Sequence, residues 1–540
     1  MKILVVALLC FTSAFAHYIS DDKQFETLQK TDFSKEQVWP LPQQYVMGSD
    51  FFIIRPGNFK FLYGSKCDII KQAIQRYQKI IFRECSKSSV DDKSNLHLNS
   101  NVQLLNLTIK VVGPCEKYPY MNMDEQYILR INTSDTINSA LLFSTTVWGA
   151  LRGLETFSQL VFNLQKGIFG IYSGSIRDFP RFPYRGLMLD TSRHFIPVPV
   201  LLKNLDAMAQ TKLNVFHWHI VDDQSFPYVS KKFPNLSLKG AYDSDTHIYT
   251  PTDISEVIEY ARLRGIRVLV EYDTPGHTLS WGKGRPKLLT PCFSSGLPNG
   301  QLGPINPTKN ETYQFLKAFF AEVINVFPDA YLHLGGDEVS FDCWASNPDI
   351  QAFMAEKKFG DNYALLEGYY ISKLLNIIKS LNKSYIVWQE VFDNQVKIKP
   401  DTIVHIWKNG YKSELTNVTL AGYNAILSAC WYLSDIAYGN DWISYYSCEP
   451  HDFSGTEKQK RLVIGGEACM WGEYVDGTNV ITRTWPRAAA VAEKLWSSQS
   501  VANSTQAMPR LEKLRCNMIK NGLKVEPVNG PGYCQCDFVV

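Results

Sequence analysis

After Pro183 the chain falls into a rhythm that leaves few folds open to it. Eight short apolar runs alternate with longer helix-like stretches: Gly186–Leu189, Val215–His219, Arg267–Val270, Ala330–Leu334, Tyr385–Trp388, Ile403–Ile406, Ala425–Ser428 and Leu462–Ile464. Short strand-like runs separated by helical segments signal βα units, and eight such units close a (β/α)8 barrel. Residues 181–540 are long enough for such a barrel with insertions. The expected fold class is therefore α/β, a TIM barrel preceded by a smaller α+β domain.

That smaller domain is expected over 17–180. Phe51–Ile54 and Leu107–Val112 read as strands, Cys67–Phe82 has helical periodicity, and Ala140–Gln165 reads as a second helix. The boundary is set at Asp178-Phe179-Pro180-Arg181-Phe182-Pro183, where two prolines break regular structure. Residues 1–16 read as a secretory signal: a lysine, an apolar run, then Ala14-Phe15-Ala16. No later segment looks long enough to span a bilayer, so a soluble lumenal or secreted protein is expected, with no membrane insertion. Seven N-x-S/T sequons fit that route, at Asn106, Asn132, Asn235, Asn310, Asn382, Asn417 and Asn503. Of twelve cysteines, Cys10 falls in the signal, and the other eleven imply disulfides with at least one thiol left over. A net charge of +2 with interspersed signs offers no nucleic-acid face.

The residues just beyond each apolar run indicate where the chemistry lies. The first run leads to Asp190 and Arg193. The second gives His219, Asp222 and Asp223, and the third Glu271, Asp273 and His277. The fourth gives Asp337 and Glu338, the fifth Trp388 with Glu390 beyond, the sixth Trp407, and the seventh Trp431 and Tyr432. The eighth leads to Glu467, Trp471 and Glu473. In a barrel the C-terminal strand ends form one face, and that face carries the active site. Within Gly335-Gly336-Asp337-Glu338 the glycines permit close backbone approach. Burying adjacent acids drives their pKa values apart, which suits one protonated general acid beside one carboxylate. The indoles suit sugar faces. A phosphate site would instead want a glycine-rich helix N-terminus and lysine.

Three rivals arise from the same residues. His217-Trp218-His219 could begin a barrel metal site. Strands five and six, however, end in Trp388 and Trp407, and His405 is the only histidine seen nearby. The alternative gives one satisfied inner histidine and one packed outside the barrel, and neither a metal nor a cofactor is expected. A two-carboxylate retaining glycosidase would need a nucleophile about 5–5.5 Å from the acid. Strand seven offers none, though Glu390 remains open. A catalytically inactive carbohydrate-binding protein is the third reading, against which the Asp337-Glu338 pair argues.

Five stretches carry a resemblance: Gly186–His194, Phe216–Pro227, Thr274–His277, Gly335–Glu338 and Gly465–Glu473. In them the chain resembles the β-N-acetylhexosaminidases of glycoside hydrolase family 20, especially the eukaryotic lysosomal type. The resemblance implies an exo-acting enzyme that removes terminal β-linked GlcNAc or GalNAc from glycoproteins, glycolipids or chitooligosaccharides. It implies retention by substrate-assisted catalysis, in which the substrate's acetamide and not a protein group attacks. Glu338 would then be the acid and base, helped to stay protonated by ionised Asp337, which would hold the acetamido N–H. Asp222 and His277 would orient the acid. Arg193 and Glu473 would bind ring hydroxyls, Tyr432 the acetamido carbonyl, and Trp388, Trp407 and Trp471 would wall the sugar.

The resemblance further implies a homodimer, a lysosomal or secreted location, and disulfides Cys67–Cys115, Cys292–Cys343 and Cys516–Cys534. Two departures stand out. Ser434 replaces the family's usual Asp or Asn, and Asp435 stands where one subunit type has the arginine that binds 6-sulfated sugars, so poor action on sulfated substrates is expected. Cys430 and Cys448 stand where the relatives have no cysteine, which suggests an extra disulfide.

Overall fold

The computed structural model describes residues 38–85, 102–133, 136–435 and 437–539. The expected signal segment Met1–Ala16, with Cys10, lies outside them. Among the described residues no helix is long and apolar enough to cross a membrane.

The N-terminal part is a mixed sheet. Its strands are β1 (Gln44–Ile54), β2 (Lys60–Leu62), β3 (Asn106–Val111), β4 (Tyr127–Ile131), β5 (Ser139–Ser144), β6 (Phe162–Gln165) and β7 (Ile168–Asp178). They lie in the order β1-β7-β4-β5-β3-β2, with β6 on β7. Helix α1 (Asp68–Ile81) turns Ile69, Ile70, Ala73, Tyr77 and Ile81 inward, one stripe of a 3.6-residue period. The helix expected over Ala140–Gln165 is corrected to strand, helix and strand. Ala140–Phe143 is a buried run inside β5, and helix α2 (Val147–Leu160) starts only where Thr146 accepts the Gly149 N–H as N-cap. A short apolar run does not reveal its period, and the cap sets the boundary.

Eight parallel strands close the barrel: β8 (Tyr184–Asp190), β9 (Val215–Val221), β10 (Arg267–Tyr272), β13 (Tyr331–His333), β14 (Ser384–Trp388), β15 (Ile403–Ile406), β16 (Asn424–Leu427) and β17 (Val463–Met470). A hairpin of β11 (Leu289–Ser294) and β12 (Leu297–Ile305) is inserted after β10. Each of the eight expected runs overlaps one barrel strand.

Side-chain parity fills the barrel in layers. Tyr184, Val215, Leu269, Ile386, Ile403 and Ile426 form the lower one. Two residues further along the strands come His217, Glu271, Trp388, His405 and Glu467, all buried. Glu467, expected at a strand end, is therefore corrected to the barrel interior, because β17 runs on to Met470.

Buried charges join the two parts. Glu125 takes Arg185 at 2.6 Å and Arg152 at 2.8 Å, and Asp178 takes Lys212 at 2.8 Å and the Trp496 indole N–H at 3.0 Å. Disulfides join Cys67–Cys115, Cys292–Cys343, Cys516–Cys534 and Cys430–Cys448. A fifth, Cys85–Cys536, ties the end of the chain to the segment after α1, and Cys469 is left as a buried thiol.

Candidate active site

The fourth barrel strand is the shortest, and the turn that ends it shapes the site. After His333 the chain turns through Gly335 and Gly336, at φ +66° and +95°, then Glu338 at +49°. A side chain at Gly335 would collide with the Asp273 carboxylate, so glycine is required there. His277, on the loop after β10, also has a positive φ of 55°. Two non-glycine residues in the left-handed region at one strand-end face mark a strained local backbone.

The turn buries Asp337 and leaves the Glu338 side chain 60% exposed. Asp337 Oδ1 is buried and meets no N–H donor among the described residues, and the Asp273 carboxyl beside it is raised by burial and by Asp337. His277 Nε2 lies 3.6 Å from Glu338 Oε2 and 3.8 Å from Asp337 Oδ2, while its Nδ1 is 3.1 Å from Asp222 Oδ1. Asp222 also meets His219 Nε2 at 2.7 Å and Arg193 at 2.9 Å. Arg193 reaches Asp190 at 3.0 Å and lies over the Trp471 ring at 5.1 Å.

These contacts govern the protons. Burial alone would raise the Asp222 carboxyl, but hydrogen bonds from His219 and His277 outweigh it and hold Asp222 well below the carboxylate range. Burial opposes charge on His277, yet the Asp222 hydrogen bond and the nearby Asp273 and Asp337 carboxylates raise it far above an ordinary histidine. The hydrogen-bonding approach of His277 then lowers Glu338. This corrects the expectation that the neighbouring acid keeps Glu338 protonated. Without substrate, the half-exposed carboxyl responds more to the imidazolium than to Asp337.

Four aromatic rings gather beside the acids. Trp407 stacks on Tyr432 with centroids 6.0 Å apart, Tyr432 lies 6.4 Å from Trp471, and Trp471 lies 6.1 Å from Trp388. Trp471 meets the His219 ring edge-on at 5.0 Å. The Trp388 indole donates to Glu271 at 2.8 Å, and the Trp407 indole to Glu390 at 2.9 Å. Glu390 also pairs with Lys408 at 2.9 Å, so it supports the cage instead of standing free. Glu473 is exposed, and only its field reaches Arg193.

The two strand histidines both face inward, which corrects the expectation that one packs outside. His217 lies between Glu467 at 2.6 Å and Glu271 at 3.0 Å, and His219 between Glu271 and Asp222, each at 2.7 Å. His333 joins them, stacked on His217 at 4.6 Å, and so does His405, stacked on Trp388 at 4.2 Å. The interior thus holds more histidines than His405 alone. His219 is bonded to a carboxylate at both nitrogens, whereas His217 is bonded through Nδ1 and its Nε2 lacks a hydrogen-bond partner among the described residues. His217 with Glu271 and His333, or with His405 and Glu467, has the spacing to hold a metal ion. The sequence places Glu271 just beyond its strand with no role, whereas it lies inside β10; His333 and His405 are given no place in the site. Counting in twos along each strand from the lower layer would have put them there.

Residues 182–499 match glycosyl hydrolase family 20, catalytic domain, and residues 38–160 match the family described as beta-acetyl hexosaminidase like. The beta-hexosaminidase subunit alpha of Bos taurus is 52% identical over 93% of this chain and 95% of its own length. The human beta-hexosaminidase subunit beta is 51% identical over 92% of this chain and 89% of its own. Among solved structures, the chitobiase of Flavobacterium johnsoniae superposes with a TM-score of 0.77 at 30% identity, covering 92% of this chain and 74% of that one.

Proposed function

The chain belongs to glycosyl hydrolase family 20, a glycoside hydrolase with β-hexosaminidase activity, and on that premise we propose an exo-acting, retaining reaction driven by the substrate's own acetamide. The substrates are terminal, non-reducing β-linked N-acetylglucosamine and N-acetylgalactosamine residues of glycoconjugates. Glu338 gives its proton to the glycosidic oxygen as that bond breaks. The acetamido oxygen closes on C1 to form an oxazolinium ion. Glu338 then takes a proton from the water that reopens the ring, which returns the product with retention.

Asp337 accepts the acetamido N–H and balances the positive charge that grows on it. This places stabilisation where charge develops. Tyr432 donates to the acetamido carbonyl. Trp388, Trp407 and Trp471 hold the acetamide against C1, a proximity effect. Arg193 and Glu473 hold ring hydroxyls, and His277 and Asp222 orient the acid. A sugar seated over Glu338 strips water from its carboxyl and raises its proton affinity, which offsets the lowering by His277.

One observation carries this reading: the buried Asp337 carboxylate meets no N–H donor at Oδ1 among the described residues, only the burial-raised Asp273 carboxyl beside it, and an amide N–H entering the indole cage would satisfy it. A protein nucleophile finds less support, since Glu390 is bound to Trp407 and Lys408. The five disulfides suit an oxidising secretory route, to the lysosome or outside the cell. The test is inhibition by a thiazoline that mimics the oxazolinium, run beside turnover of aryl N-acetylglucosaminides and plain glucosides. Tight inhibition with no glucoside cleavage is expected. A trapped covalent sugar–protein adduct would overturn the reading.

A further inference from the structure

Glu271 is a fully buried carboxylate to which the proposed reaction gives no role. It sits inside β10, one layer beneath the acids. Its two oxygens face different parts of the site. Oε1 accepts the Trp388 indole N–H at 2.8 Å, with His333 Nδ1 at 3.0 Å. Oε2 meets His219 Nδ1 at 2.7 Å and His217 Nε2 at 3.0 Å. His219 continues to Asp222, and Asp222 to His277, which lies against Glu338.

We propose that Glu271 is a positioning residue, a single buried carboxylate that fixes both the Trp388 wall of the acetamide cage and the His219–Asp222–His277 chain leading to the acid. The inference rests on the substrate-assisted reading. Trp388 has one polar atom, and Glu271 holds it. The ring's face rests on His405 at 4.2 Å, so the indole has one rotational setting in which its N–H is satisfied. On the other side, His219 has no freedom to turn, because both of its nitrogens face carboxylates. A shift of the Glu271 carboxylate would therefore move the acetamide wall and the acid's support together.

Glutamine keeps the shape but has one acceptor oxygen, so it cannot accept from Trp388 on one side and His219 on the other. Glu271→Gln should lower kcat roughly 100-fold, the cost of a small misplacement in a positioned site. It should weaken thiazoline binding by a similar factor, because the thiazoline resembles the closed acetamide. KM for an aryl N-acetylglucosaminide should move less than about threefold, since ground-state contacts survive. Partial misfolding alone would lower kcat and leave the inhibition constant unchanged, and that result overturns the proposal.

Trp388→Phe keeps an aromatic face but removes the N–H and part of the indole wall. It should weaken the thiazoline as Glu271→Gln does, and the double variant should be no worse than the more severe single one. Additive effects would overturn the proposal. If Glu271→Gln does not fold, Glu271→Asp, which keeps both oxygens but draws them back from Trp388 and His219, takes its place, and an unchanged inhibition constant rejects the link. Failure of the thiazoline to inhibit the wild-type protein would instead strike the substrate-assisted reading, and this proposal would fall with it.

Discussion

His277 spans the two acids that matter most to each other: its Nε2 lies 3.6 Å from Glu338 Oε2, and its Nδ1 lies 3.1 Å from Asp222 Oδ1. Asp222 is held low and His277 high, so the imidazole keeps its proton and lowers Glu338. Taking the histidine away should therefore raise Glu338. In His277→Asn the alkaline limb of the kcat/KM profile should move to higher pH, because that limb reports the acid of the free enzyme. Rates measured across pH 3 to 8, about the range in which carboxylates and histidines titrate, will show it. A limb that stays in place would remove His277 from control of the acid.

Glu338→Gln should lose roughly 100- to 10,000-fold in kcat, the usual worth of a general acid. Its side chain is half-exposed and the fold does not rest on it, so the thermal midpoint and substrate affinity should hold. Rates near wild type on an N-acetylglucosaminide would end the assignment.

How much of this can be read from residues alone depends on parity and on distance along the chain. The eight apolar runs point to the barrel because a fully buried parallel strand is written as a continuous apolar stretch. The gathering of Asp222, His277, Asp337 and Glu338 reflects their place just beyond those runs. Glu467 escapes the same reading because β17 continues for several residues past its expected end at Ile464, through a pair of glycines that look like a stop. His217 and His219 belong inside together, since residues two apart on a strand share a face. Cys85–Cys536 is invisible in the sequence, because a pairing across 451 residues leaves no local spacing to read. The proton on Glu338 depends on the distance to His277, which no motif states.

Stability should favour mildly acidic conditions. Burial pushes Glu155 up to about 7 and Glu367 up to about 8, and the half-buried Glu526 to about 7. A carboxyl raised by folding contributes stability that is complete below its unfolded value of about 4.3 and is lost as pH rises through the folded one. Raised His277 acts in the same direction from about 6.5 upward. Lowered Asp222 acts in the opposite sense, its contribution being lost only as pH falls below about 3.9. His333, His405 and His451, lowered by burial, also oppose the trend up to about 6.5, but they are outnumbered by the raised groups, His217 and His219 among them. The melting temperature should therefore be higher near pH 5 than near pH 8, about the two ends of that window. Glu155→Gln should flatten the difference. Equal melting temperatures at both ends would contradict the sign.

Cys430 and Cys448 close a loop of sequence separation 18 that carries Tyr432, two residues beyond the first cysteine. Cross-linking a loop of that length restricts the unfolded chain by about 3 kcal/mol. The double change Cys430→Ser with Cys448→Ser should cost a comparable amount in urea unfolding. An unchanged midpoint would show that the pair adds nothing beyond the existing backbone ties. Those ties already fix the neighbours of Tyr432: the Trp431 indole donates to the Tyr445 carbonyl at 3.0 Å, and Arg487 donates to the Leu433 carbonyl at 2.7 Å.

Asp435 is exposed and lies shortly beyond Tyr432 on the same strand-end loop. An anion brought near it meets like charge. At about 4 Å in water that repulsion is worth about 1 kcal/mol, enough for a severalfold loss. The 6-sulfated aryl N-acetylglucosaminide should therefore turn over more slowly than the neutral one at low salt. The gap should narrow as salt shortens the Debye length from roughly 30 Å at 0.01 M to 8 Å at 0.15 M. Asp435→Asn should narrow it without added salt and leave the neutral substrate's rate unchanged. Equal rates on both substrates at low salt would mean that the sulfate stays clear of this loop, and Asp435 would then have no part in selecting substrates.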